Sequence, residues 1–203
     1  MLASRALTEE NRRLRSIAQV AELYTQRIDE LQSEIEDLQK LQNLPGTVGR
    51  IKIPARVIGY SPTENRATIS AGANQQVRPD LPVVTSDGLL GVVQTVDANS
   101  SQILLLTSPP PFKIGAKVSR DPPSNGLLHG DGPDRLSVEF TDTNAPMEVG
   151  DWVVTSGLSE VIPGGIPIGK IVLVRKDEDF GTRIAQVFPA AQIGRTSEVI
   201  VLR

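Results

Sequence analysis

The string VVTS occurs twice, at Val83 to Ser86 and at Val153 to Ser156, and the segments around the two copies run in the same order. Arg56-Val-Ile-Gly59 corresponds to Leu127-Leu-His-Gly130, and Val77-Arg-Pro-Asp80 corresponds to Val149-Gly-Asp151. After each VVTS comes a glycine-rich turn, then Gly91 to Val96 in one half and Gly169 to Val174 in the other, closed by Ile103 to Leu106 and Ile184 to Phe188. From Val83 to Val153 the spacing is about 70 residues. A series of short apolar segments repeated in one order at one spacing constrains the fold to two copies of one small β-barrel.

The segments themselves have strand character. From Val48 onward no apolar run exceeds about eight residues, and turn residues separate the runs at the short spacing of a sandwich or barrel. The 17 Gly and 15 Pro lie mostly in this part of the chain, among many Val and Ile. The fold class is therefore mainly β. The sequence divides as 45–121 for a first barrel, which includes a strand at Lys113 to Val118, and 122–193 for a second. The last strand, Ser197 to Leu202 within 194–203, either returns to complete the first barrel or completes the second.

Residues 1–44 follow a different period. With Leu7, Leu14, Ala21, Ile28 and Ile35 at heptad position a, Ile17, Tyr24, Leu31 and Leu38 fall at d. An a/d seam sustained for about four heptads is the mark of a coiled coil, here a stalk that pairs two chains or spaces a domain from an anchor. Glu9 and Arg13, and Glu36 and Lys40, stand at supportive i,i+4 spacing, and Leu44-Pro45-Gly46 stops the helix. The competing reading is a single amphipathic helix on its own domain. Charge across e and g does not specify register, because Arg13 faces Ala18, Arg27 faces Gln32 and Glu34 faces Gln39.

Composition narrows the chemistry. A net charge of −3 with a pI near 5.3 argues against a polyanion binder, and 3% aromatic residues leave little for base stacking. Without cysteine there is no disulfide and no thiolate metal site. One histidine and scattered carboxylates form no zinc ligand set, and no calcium loop or nucleotide fingerprint is present. No run of 18 apolar residues spans a membrane.

A serine at a glycine turn still raises the question of a nucleophile. His129, then Asp142 or Asp151, then Ser156 gives the chain order of a catalytic triad, but no GDSGG-like turn follows Ser156. Ser86, its counterpart, has Val57 or Ile58 where a base is needed. The repeat favours a structural turn, so no catalytic, cofactor-binding or metal-binding residue is assigned. The alternative is a soluble ligand-binding or serine-hydrolase-like barrel with an incidental helix. The second VVTS runs on into SEVIPGGIPIG, whose isoleucines either plug the barrel end or face a partner; Val161, Ile162 and Ile166 are the candidates for a partner surface.

IPARVIGYSP at 53–62, VVTSDGLLGVV at 83–93, ILLLT at 103–107 and VGDWVVTSGLSEVIPGGIPIGKIVLV at 149–174 together resemble the MreC family of bacterial rod shape-determining proteins. The likeness runs from the helix to Val201. It implies a helix followed by two six-stranded barrels, related in topology to chymotrypsin-like, Greek-key barrels but not proteolytic. It also implies a non-catalytic scaffold of the cell-elongation machinery that needs no cofactor and self-associates as a homodimer or larger assembly. Such a scaffold binds and activates a class B penicillin-binding protein, alongside MreD, RodA and MreB. The implied location is the extracytoplasmic, periplasmic side of the inner membrane, held by a single N-terminal span that is absent from this chain. The expected dimer interface is Leu7, Leu14, Ile17, Tyr24, Ile28, Leu31, Ile35 and Leu38.

Overall fold

The computed structural model describes residues 2–132, 134–140, 146–176, 182–195 and 197–203. It forms two compact units, Met1–Lys40 and Leu41–Arg203. The first is most of one helix, α1 (Leu2–Gln42). Its length follows from an uninterrupted stretch without Gly or Pro, and it stops where Pro45 removes a backbone donor. Of the seam residues, Tyr24, Ile28, Leu31 and Ile35 are exposed in the single chain. The side chains of Leu7, Leu14, Ile17 and Leu38 lie outside the described set.

The second unit holds twelve strands: β1 (Lys52–Ser61), β2 (Arg66–Ile69), β3 (Pro82–Val84), β4 (Leu89–Val96), β5 (Ser101–Leu105), β6 (Ile114–Val118), β7 (Asn125–Gly130), β8 (Leu136–Phe140), β9 (Trp152–Thr155), β10 (Pro167–Lys176), β11 (Arg183–Pro189) and β12 (Glu198–Leu202). They close into two barrels, ordered β1-β12-β3-β4-β5-β2 and β10-β11-β8-β7-β6-β9. Superposed by neighbour order, β1, β2, β3, β4 and β5 correspond to β7, β8, β9, β10 and β11, in the same chain order as the sequence repeat. The sixth position differs. In the second barrel β6 fills it, from just before β7; in the first it is filled by β12, from the C-terminus.

That arrangement corrects the boundary expected near residue 121. The 114–118 segment pairs with β7 and β9, so it belongs to the second barrel. It was misplaced because β6 is as apolar as a first-barrel strand and sequence adjacency was the only guide. The second barrel is thus inserted between β5 and β12 of the first.

Local chemistry explains two further features. β1 runs straight through Pro54. Ile51 and Arg203 exchange both backbone bonds at 2.9 Å, so by alternation the Pro54 nitrogen points away from β12, on the side where β2 pairing has not yet begun. Gly91 and Gly169 occupy equivalent places, opposite Val83 and Val153. A Cβ on Gly91 would lie 2.1 Å from the Leu104 carbonyl oxygen, and one on Gly169 would lie 2.1 Å from that of Phe188. Each glycine lets the next strand cross closely, and a bulge follows it at the same point in both barrels, between Val93 and Thr95 and between Ile171 and Leu173.

The barrels share one apolar core at their junction. Val83, Leu90, Val93, Val199 and Val201 fill the first barrel, whereas their neighbours Val84, Leu89, Val92, Ile200 and Leu202 point outward into the cluster that fills the second. The wall β12–β3–β4 is therefore apolar on both faces, which is why PVV, LLGVV and EVIVL read as continuous apolar runs instead of alternating ones.

Candidate interaction surfaces

The VVTS turns resolve around threonine. Thr85 and Thr155 are both fully buried, while Ser86 and Ser156 are partly exposed. The Thr155 hydroxyl donates to the Pro163 carbonyl at 2.6 Å and accepts the Ile166 N–H at 3.0 Å. Thr85 does the same job on a shorter turn, donating to the Gly88 carbonyl at 3.4 Å and accepting the Asp87 N–H at 3.2 Å. In the second barrel the hydroxyl satisfies turn groups that no backbone bond serves, whereas in the first it adds to the bond that the Gly88 carbonyl already accepts from the Thr85 N–H at 2.8 Å.

The candidate triad is not assembled. The Ser156 hydroxyl accepts the Leu158 N–H at 3.3 Å and lies against Gly115. His129 sits on β7 opposite Ser137, with Nδ1 4.0 Å from the Glu139 carboxylate. Asp151 accepts the Glu148 N–H at 2.8 Å and is paired with Arg120 at 2.9 Å, so it orients no histidine. Arg120 also donates to the Glu148 carboxylate at 2.9 Å, and its side-chain bonds, to Glu148 first and then Asp151, raise the guanidinium pKa above its ordinary value. Asp142 lies outside the described residues. Among the described residues no three His, Cys, Asp or Glu side chains converge as a metal site, and no helix is long and apolar enough to cross a membrane.

Of the three residues expected to face a partner, Ile166 does not. It is 0% exposed, in the shared core with Ile168 and Leu44, so its side chain stabilises the fold by about 1.5–3 kcal/mol of apolar burial. Ile162 is partly buried against the same core, and Val161 is 40% exposed beside the strongly exposed Leu158. The rest of SEVIPGGIPIG grips the segment that leaves the helix. Gly46 has φ +81°, and a Cβ there would meet the Gly164 carbonyl oxygen at 2.6 Å and the Ile166 nitrogen at 2.9 Å. Arg50 also donates to the Glu160 carbonyl at 3.3 Å. Sequence periodicity missed this clamp because it joins residues more than 100 positions apart.

The described surface has one aromatic face. On the outside of the second barrel, Lys170 of β10 pairs with Trp152 of β9 and with Phe188 of β11. The Lys170 ammonium stands 5.0 Å from the centre of the Trp152 ring, and Val172 is exposed on the same strand.

A helix and two interlocked, closed barrels, with buried threonines at the repeated turns, define a tandem β-barrel protein. The chain belongs to the MreC family: residues 57–203 match the family described as rod shape-determining protein MreC, barrel core. It is 30% identical over 201 residues to the cell shape-determining protein MreC of Listeria monocytogenes, covering 96% of this chain and 68% of that one. A solved structure of the Listeria protein superposes with a TM-score of 0.71 at 30% identity, over 96% of this chain and 95% of that one. The major periplasmic domain of the cell shape-determining filament MreC superposes at 0.66 with 26% identity, over 76% of this chain and 97% of that one. In a complex between penicillin-binding protein PBP2 and MreC from Helicobacter pylori, the matching chain is 15% identical with a TM-score of 0.61, covering 74% of this chain and 96% of that one, and shares the fold.

Proposed function

We propose that this protein is a non-catalytic scaffold of the cell-elongation machinery, working on the extracytoplasmic side of the membrane. In this reading α1 pairs chains as a coiled coil and spaces the barrels from a membrane anchor. The barrels, of the chymotrypsin-like Greek-key type without the chemistry, bind and activate a class B penicillin-binding protein. Family membership supports the cell-shape role. The observation that carries the non-catalytic part is the fate of VVTS: the buried threonine is spent on the turn, and Ser156 caps its own loop without a base.

Titrating the chain onto an immobilised class B penicillin-binding protein tests the partner. Saturable binding is expected, with no change for Ser156→Ala. A serine-reactive probe that labels Ser156, with labelling lost in His129→Ala, would instead establish the hydrolase alternative. MreD, RodA and MreB are the further partners that the family reading proposes.

The closed barrels bear on how such a scaffold would self-associate. Both barrels close, which leaves no free sheet edge among the described strands. In this reading contacts between copies use side-chain faces.

A further inference from the structure

The helix carries apolar residues that its seam does not use. Val20 and Leu23 fall at g and c, with Leu23 65% exposed, and Arg27, Glu30 and Glu34 continue the same strip at steps of three and four residues. At 100° per residue this strip lies roughly 90° around the helix from Tyr24, Ile28, Leu31 and Ile35. It is apolar at one end and acidic at the other. Over 18–36 five carboxylates (Glu22, Asp29, Glu30, Glu34, Glu36) stand against one cation, Arg27, which is already paired with Glu30 at 2.9 Å.

The aromatic face of the second barrel has the complementary character. Trp152 is 43% and Phe188 49% exposed, on either side of Lys170, with Val172 and then Arg175 farther along β10. These five outward residues are apolar or basic. Three adjacent strands span about 10 Å, the diameter of one helix. Both surfaces are exposed, and each offers the chemistry that the other lacks.

We propose that the strip Val20, Leu23, Glu30 and Glu34 of one copy docks on the Trp152, Lys170 and Phe188 face of a second copy. Leu23 and Val20 cover the rings, while Glu30 and Glu34 meet Lys170 and Arg175. Because the two patches differ, the contact is heterologous and adds copies in a row instead of closing on two. It rests on the self-associating scaffold reading and adds to it a contact separate from the seam. Desolvating the Lys170 and Trp152 pair at the centre and leaving the charges at the rim is the arrangement that concentrates binding energy in a few residues.

Sedimentation velocity of the full chain over a concentration series tests this. The wild type is expected to form species larger than a dimer at low salt and to lose them near 1 M salt, where screening reaches about 3 Å. Leu23→Lys and Lys170→Glu, both at exposed sites and each checked for a wild-type circular dichroism spectrum, are expected to stop at the dimer. The charge swap Glu34→Lys with Lys170→Glu is expected to restore the larger species. A wild type that never exceeds a dimer, or single variants that assemble like it, would overturn the proposal while leaving the seam dimer standing. Loss of the dimer itself is read separately, in Ile28→Lys.

Discussion

Thr155 shows how much a single buried hydroxyl can hold. It donates to Pro163 and accepts from Ile166 across the loop that clamps the helix exit. Thr155→Val keeps the volume and leaves a buried carbonyl and N–H unpaired, at a cost of about 1–3 kcal/mol. In a unit of this size each kcal/mol lowers Tm by roughly 2–4 °C, readable by calorimetry. Gly169→Ala tests the close strand crossing: the added methyl meets the Phe188 carbonyl, and a loss of about 1–3 kcal/mol is expected. Gly194→Ala, where nothing lies within 4 Å, serves as the near-neutral control. Sequence reading went to the serine of VVTS because serine is the residue that could react. Burial singles out the threonine, and burial is not visible in a tetrapeptide.

At the scale of the element, α1 and the β12–β3–β4 wall are opposite cases. The helix was legible in full, because a heptad pattern is local and nothing interrupts it. Its seam leaves Tyr24, Ile28, Leu31 and Ile35 exposed on a helix of 41 residues, and the proposed pairing would bury them. In the proposed dimer Ile28→Lys would introduce two unpaired charges and remove two isoleucines from the seam, so dimerisation is expected to weaken on the order of 100-fold. A sedimentation series that shows the same equilibrium for the wild type and the variant would remove the seam from the interface. The strands of the wall were legible as strands, but their second apolar face was not assigned, because a continuous run does not say what covers each side. Ile166 was misread for the same reason: an isoleucine between two prolines looks the same whether it faces solvent or the shared core.

Across the whole molecule, β12 ties the chain together. It closes the first barrel from the C-terminus while Ile200 and Leu202 enter the core of the second. The two barrels should therefore unfold as one. Leu202→Ala is expected to cost about 2–5 kcal/mol. The single tryptophan, Trp152, lies in the second barrel, so its fluorescence midpoint should fall together with the calorimetric one. A Trp152 transition that stays at the wild-type midpoint would show that the barrels are independent. By itself the sequence determined what is local: the helix and its end, the strands and turns, and the duplication. Periodicity and turn chemistry act over a few residues and leave their mark there. Only the tertiary structure decided which barrel receives 114–118 and which receives 198–202, that Ile166 is core, and that Gly164 grips Gly46. Barrel closure matches strands more than 100 residues apart, and the burial of a common wall selects among pairings that the apolar pattern permits equally.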